Sequence, residues 1–145
     1  MNLKLECYNH YPAPIAFEQN MFISHLKKVI KYLEKNLLIL DKAPLFSLDS
    51  IEFNLVSDKT IADLHDKFMD DPTPTDVITF HHGEVFVSYD TAKKEALERS
   101  ISIEEELFRY YVHGLLHLAG YEDKDKEDFE RMTALQETIV TGFHR

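Results

Sequence analysis

The chain has one cysteine, Cys7, so no disulfide can close within it, a composition that fits a reducing cytoplasm. Glycine and proline are scarce, at four and five of 145 residues, and no Gly/Ser linker, low-complexity tract or internal repeat interrupts the sequence. The prolines fall in two loops (Pro12 and Pro14, Pro72 and Pro74) and at Pro44. No apolar run approaches the roughly 18 residues that span a bilayer. The opening Met1-Asn2-Leu3-Lys4-Leu5-Glu6 lacks the charged and then apolar layout of a signal peptide, so no membrane role is expected. Positive charge is also short: 16 Lys and Arg face 26 Asp and Glu, for a net charge of −10. A field of that sign repels phosphate backbones and disfavours unspecific nucleic-acid binding, though not a local basic patch or delivery to RNA by a partner. What is present is the balance of a globular protein, 44% hydrophobic and 29% charged, in one expected domain spanning residues 1–145.

Periodicity gives the elements. Leu3, Leu5 and Cys7 alternate with polar neighbours, as do Ile51, Phe53 and Leu55, which predicts two half-buried strands. Between them, a long helix is expected from about Phe17 to Leu40, with Phe22, Leu26, Val29, Ile30, Leu33 and Leu37 on its inner face. Asp58 can cap a short helix with Ile61, Leu64 and Phe68 inward, and residues 70–76 form a loop. Val77–Phe80 and Val85–Tyr89 flank His81-His82-Gly83 and read as an antiparallel hairpin. A short helix over Asp90–Arg99 follows. Ser102 with Glu105 then opens, as a capping box, a longer helix to about Ala119, which Gly120 ends in a left-handed turn. A last helix from about Asp125 places Phe129, Met132, Leu135 or Gln136, Ile139 and Phe143 inward. The expected class is α+β, a small mixed sheet of about four strands packed with about five helices.

The chemistry-bearing segment is Val112-His113-Gly114-Leu115-Leu116-His117-Leu118-Ala119-Gly120-Tyr121-Glu122-Asp123. Residues four apart on a helix share one stripe, so His113 and His117 can offer two nitrogens to one divalent ion. A third ligand must come from another direction. The chain turns at Gly120, and Asp123 is the nearest acid facing back, with Glu122 and Asp125 as competitors. Three protein ligands leave a fourth position for water, the arrangement of catalytic rather than structural zinc, with the chemistry carried by metal-bound water. Zinc peptidases carry Glu after the first histidine as general base. Gly114 holds that position and cannot move a proton, which disfavours a peptidase and suggests close packing of helix on sheet.

The run His113 to Tyr121 resembles the signature of the YbeY family of rRNA-maturation endoribonucleases, His-Gly-x-Leu-His-Leu-x-Gly-Tyr-Asp-His. Pro74-Thr75-Asp76-Val77-Ile78-Thr79-Phe80 resembles the family's Pro-Thr-Asp-Val-Leu-Ser-Phe element, and Gly83-Glu84-Val85-Phe86-Val87-Ser88 its Gly-Asp-Ile-x-Ile-Ser strand. The three occur in family order and cover essentially the whole chain. The resemblance implies a metal-dependent single-strand endoribonuclease of ribosomal RNA maturation and small-subunit quality control. It further implies one zinc ion per chain, ribosomal RNA, the small ribosomal subunit and an Era-like GTPase as partners, and a cytoplasmic site of action. Two positions depart from the pattern. The family's third metal histidine falls on Asp123, and the arginine it carries near the substrate phosphate falls on Met69, with Lys67 nearby as a substitute.

Glu84 and Asp76 are candidate general bases only because their segments resemble family elements. Thr75 and Asp76 also suit a loop-fixing pair. His81 and His82 sit in the expected turn, while His10, His25, His65 and His144 follow no pattern and read as surface. Cys7 reads as a small buried apolar residue. Met69 and the charge of −10 leave a ribosome-assembly binding protein with a structural or vestigial metal as the alternative. Another metal-dependent hydrolase is a second alternative.

Overall fold

A computed structural model describes residues 1–143. It carries four strands and five α-helices in an α+β arrangement: β1 (Lys4–Asn9), α1 (Met21–Lys35), β2 (Ser50–Val56), α2 (Asp58–Met69), β3 (Val77–Phe80), β4 (Glu84–Ser88), α3 (Tyr89–Arg99), α4 (Ile103–Leu118) and α5 (Lys126–Phe143). A short 3-10 turn spans Pro44–Ser47. The sheet order is β1-β2-β4-β3. β1 and β2 are parallel, as are β2 and β4, while β3 returns antiparallel to β4 at the edge. The β3–β4 hairpin closes as expected, with the Gly83 amide donating to the Phe80 carbonyl and Gly83 at φ +107°.

Strand alternation gives the sheet two faces. Ile51, Phe53, Leu55, Val85 and Val87 are fully buried on one face, beneath Leu26, Val29 and Leu33 of α1 and Leu115 and Leu116 of α4. Each such side chain contributes about 1.5–3 kcal/mol by leaving water. The other face is covered in part by α2, through a small cluster of Val56, Ile61 and Ile78. Among the described residues, no helix is long and apolar enough to cross a membrane.

Several elements differ from their sequence expectation. Helix α1 is shorter than residues 17–40 because Leu37 takes a left-handed conformation, φ 55°, and the Leu38 amide closes back on the Leu33 carbonyl. Leu37 is therefore 89% exposed rather than on the inner face. Ser57, not Asp58, caps α2, accepting the Thr60 amide; the Asp58 carboxylate instead receives the hydroxyls of Ser88 and Thr91. Phe68 is exposed, its ring edge-on to Phe80. Phe129 is exposed as well, because the first turn of α5 overhangs a cleft, while Met132, Gln136, Ile139 and Val140 form the buried face. Ser102 accepts the Glu105 amide as expected, and the Glu105 carboxylate reaches Arg109. His65 is not simple surface: its Nδ1 lies 2.8 Å from the Thr73 carbonyl and pins the 70–76 loop. Cys7 is half-buried against the core, and burial pushes its thiol up to about 11. His144 lies outside the described residues.

Candidate metal centre

Helix α4 crosses the sheet with Gly114 pressed onto it. A methyl group at Gly114 would stand 2.6 Å from Val85 Cγ1 and 3.1 Å from Thr79 Oγ1. The glycine therefore sets the depth of the helix that carries both histidines. One turn later the helix stops in a Schellman turn: the Gly120 amide donates to the His117 carbonyl and the Tyr121 amide to Leu116. Gly120 has φ +103°, and an added Cβ would lie 2.9 Å from Leu40 Cβ. Tyr121 anchors the turn from below, its hydroxyl donating to the Leu38 carbonyl at 2.7 Å. The chain that leaves this turn carries Asp123 back over the histidines.

His113, His117 and Asp123 converge, and among the described residues they are the one group of three metal-ligating side chains brought together. His113 Nε2 and His117 Nε2 are 3.1 Å apart, and each is 3.6 Å from Asp123 Oδ2. A tetrahedral ion with bonds of roughly 2.0–2.1 Å sets its ligand atoms roughly 3.3 Å apart, so the triangle has the right size. Its hydrogen bonds have the right sense too. His117 Nδ1 faces the Tyr121 carbonyl at 3.0 Å, which can only accept, so this nitrogen carries the proton. His113 Nδ1 faces Gln136 Oε1 at 2.8 Å and carries the proton likewise. Both Nε2 lone pairs then point at one another and at a carboxylate, an arrangement that needs a proton or a cation between them. Burial first, and the neighbouring His113 second, push the His117 pKa down, which disfavours the proton. The donor set fits a divalent metal. Glu122 and Asp125 do not join the group; Glu122 pairs with Lys124, and Asp125 accepts the Asp128 amide at the start of α5.

Two clefts flank the centre. One, of about 550 Å³, is lined by His117, Asp123, His81, Met69, Lys42 and Lys124. The other, of about 660 Å³, runs along Asp76, Arg109, Tyr110, His113, Gln136 and Glu137. Asp76 accepts the Val77 amide and the Thr75 hydroxyl, which is the expected loop-fixing role. Glu84 lines neither cleft. It follows the opposite alternation to Val85, so it faces the far side of the sheet and pairs with His82 at 2.5 Å. His81 and His82 thus split between the two faces, and only His81 reaches the cleft. Lys67 sits over the Phe68 ring and lines neither cleft.

The sequence reading missed Lys42, Lys124 and the role of Gln136. Lys42 lies 75 positions before His117 and is delivered by a turn whose Leu40 amide donates to the Ala119 carbonyl; nothing local in sequence signals it. Gln136 was legible only as an inward residue of α5.

The α+β fold brings two helical imidazoles and a carboxylate beyond a glycine turn into one candidate three-ligand metal site. Comparison with known proteins narrows the possibilities. The family model described as Endoribonuclease YbeY matches residues 9–144. An Endoribonuclease YbeY of Aster yellows witches'-broom phytoplasma is 33% identical over 119 residues, covering 73% of this chain and 82% of that protein. One from Fusobacterium nucleatum is 28% identical, covering 98% and 91%. Some relatives are longer, the match spanning 64% of the Synechococcus protein and 35% of the Myxococcus xanthus one. The solution structure of TM1509 from Thermotoga maritima shares the fold, with TM-score 0.59 and 24% identity over 98% of this chain and 91% of that one. The chain belongs to the endoribonuclease YbeY family.

Proposed function

We propose that residues 1–145 act as one metal-dependent ribonuclease-like domain that cuts single-stranded ribosomal RNA, in rRNA maturation and small-subunit quality control, with one zinc ion held by His113, His117 and Asp123. The observation that carries this is the pair of inward Nε2 lone pairs facing a carboxylate at the edge of an open cleft. When bound, the ion supplies Lewis acidity to a phosphoryl oxygen and lowers the pKa of a water.

The chain's own groups do the rest. His113 and His117 face oxygen acceptors through Nδ1, which leaves both Nε2 atoms free as electron-pair donors to the ion. Asp123 adds the negative charge that a third imidazole would not. Lys42 and Lys124, on the rim of the cleft that Met69 also lines, meet the phosphates of the strand in place of the arginine this family carries near that position. Their positive charge is local, set against a net charge of −10, so recognition depends on the small ribosomal subunit and an Era-like GTPase presenting the RNA. A ribosomal substrate places the reaction in the cytoplasm. The test is cleavage of rRNA fragments by the pure protein with and without chelator, beside His113→Ala. Cleavage lost in both arms is expected; equal cleavage by wild type and variant overturns the proposal.

A further inference from the structure

On the side of His113 away from His117 runs a continuous chain of polar contacts. His113 Nδ1 meets Gln136 Oε1 at 2.8 Å, and Gln136 Nε2 donates to Glu137 Oε2 at 3.1 Å. That carboxylate is gripped by Arg109, which donates from Nε at 2.8 Å and from Nη2 at 2.9 Å. Arg109 also donates to Glu106, whose side chain is 1% exposed, at 2.8 Å. Gln136 is itself buried, at 9% exposure. A glutamine amide can be turned end for end, but here only one orientation works. The flipped amide would set its oxygen against the Glu137 carboxylate, oxygen on oxygen, and lose the hydrogen bond to Oε2. The Arg109–Glu137 pair therefore dictates which end of Gln136 faces the histidine. An amide oxygen there can only accept, so the proton sits on His113 Nδ1.

We infer that Gln136 is a positioning residue for the metal centre: clamped by the Arg109–Glu137 pair, it holds His113 in the Nδ1–H tautomer and so presents the Nε2 lone pair to the ion. A solvated neutral histidine side chain prefers the opposite tautomer, with Nε2 protonated, so the amide works against that preference. Because Arg109 lies on α4 and Glu137 on α5, the same contact that docks the two helices sets the electronic state of a ligand. The inference rests on the reading of His113 as a metal ligand, but the tautomer can be measured without any metal.

The test uses chelator-treated, ¹⁵N-labelled full-length protein at neutral pH, with the His113 ring nitrogens read by long-range proton–nitrogen correlation. Wild type is expected to show a protonated Nδ1 and a bare Nε2. Gln136→Leu removes the acceptor and moves the proton towards Nε2, whereas Gln136→Glu keeps an oxygen there and keeps the Nδ1–H tautomer. Zinc titration against a competing chelator is expected to weaken about 10–100-fold in Gln136→Leu and distinctly less in Gln136→Glu. A bare Nδ1 in wild type overturns the inference, as does Gln136→Leu with unchanged tautomer and zinc affinity. If Gln136→Leu fails to fold, the wild-type and Gln136→Glu spectra decide. If wild type takes no zinc, the metal reading fails on its own, while the tautomer measurement still decides the role of Gln136.

Discussion

The Nε2 atoms of His113 and His117 stand 3.1 Å apart while both Nδ1 atoms are engaged by oxygen acceptors, so the metal-free pair holds two lone pairs in opposition. A divalent ion would relieve this, and by binding only the folded chain it would stabilise the native state. At a free zinc concentration one hundred times the dissociation constant, the native state gains about 2.7 kcal/mol. For a chain of this size that is a rise in Tm of about 5–10 °C. Differential scanning calorimetry with and without zinc checks it, and His117→Ala is expected to remove the rise. A Tm indifferent to zinc and to other divalent ions would count against the site.

Asp123 is the one proposed ligand outside the helix, carried by the chain beyond the Gly120 turn. Elemental analysis is expected to find one zinc per chain in wild type, none in Asp123→Ala and one in Asp123→His, which restores an imidazole at the position. Full occupancy in Asp123→Ala would move the third ligand elsewhere, to Glu122 or Asp125.

Acid stability of the metal-free protein reports on His117. Burial, then His113, place its folded-state pKa below the ordinary 6.5 of the unfolded chain. Between those two values the unfolded chain binds the extra proton, so stability is intact above about 6.5 and falls as pH drops through the window. Glu137 acts in a separate, lower window. Its hydrogen bonds from Arg109 hold its pKa below the usual 4.5, so its contribution persists above that value and is lost as pH falls through the lowered one. Urea unfolding across the upper window is expected to show a decline in wild type that is flattened in His117→Ala. Equal slopes would sink the assignment.

Arg109 links α4 to α5 through its ion pair with Glu137 and also pairs with Glu106. Replacing it with leucine leaves Glu106, at 1% exposure, facing only the more distant Arg99 guanidinium at 3.6 Å. Removing the close partner of a buried carboxylate costs up to about 3–5 kcal/mol, and Arg99 offsets part of it. Glu137→Gln should cost far less, about 0–1 kcal/mol, because Glu137 is 44% exposed and water screens its pairing. Chemical denaturation of the two variants distinguishes them, and similar losses for both would contradict the asymmetry.

The parts of the site that were legible in sequence are those encoded within one helix and its cap. His113, His117, Gly120 and Asp123 lie within eleven residues, and helical spacing plus a left-handed turn fix their relation locally. Hydrophobic alternation was enough for the strands, and Ser102 marked the start of α4. Long-range contacts were not legible. The Lys42 turn reaches the cleft through Leu40 and Ala119, and Gln136 meets His113 only because α5 folds back on α4. Helix ends without glycine were misread for the same reason. Leu37 adopts the left-handed geometry that its own side chain disfavours, and the closure onto Leu33 outweighs that local preference.

Gly114 offers a test of how closely the metal-bearing helix must approach the sheet. In a helix exposed to solvent, Gly→Ala stabilises by roughly 0.5–1 kcal/mol because alanine loses less backbone entropy on folding. At Gly142, where an added Cβ meets nothing within 4 Å, Gly142→Ala is expected to follow that rule. At Gly114 the same methyl would lie 2.6 Å from Val85 Cγ1, beside a strand whose position is fixed by pairing on both edges. The helix or Val85 must shift, and overpacking of this kind costs about 1–3 kcal/mol. Gly114→Ala should therefore destabilise and, by lifting His113 and His117 relative to Asp123, weaken zinc binding as well. Combining it with Val85→Ala removes the clashing methyls and should recover zinc affinity even though the double variant leaves the core less filled. Zinc affinity unchanged in Gly114→Ala, or unrecovered in the double variant, would show that the depth of α4 does not govern the ligand geometry.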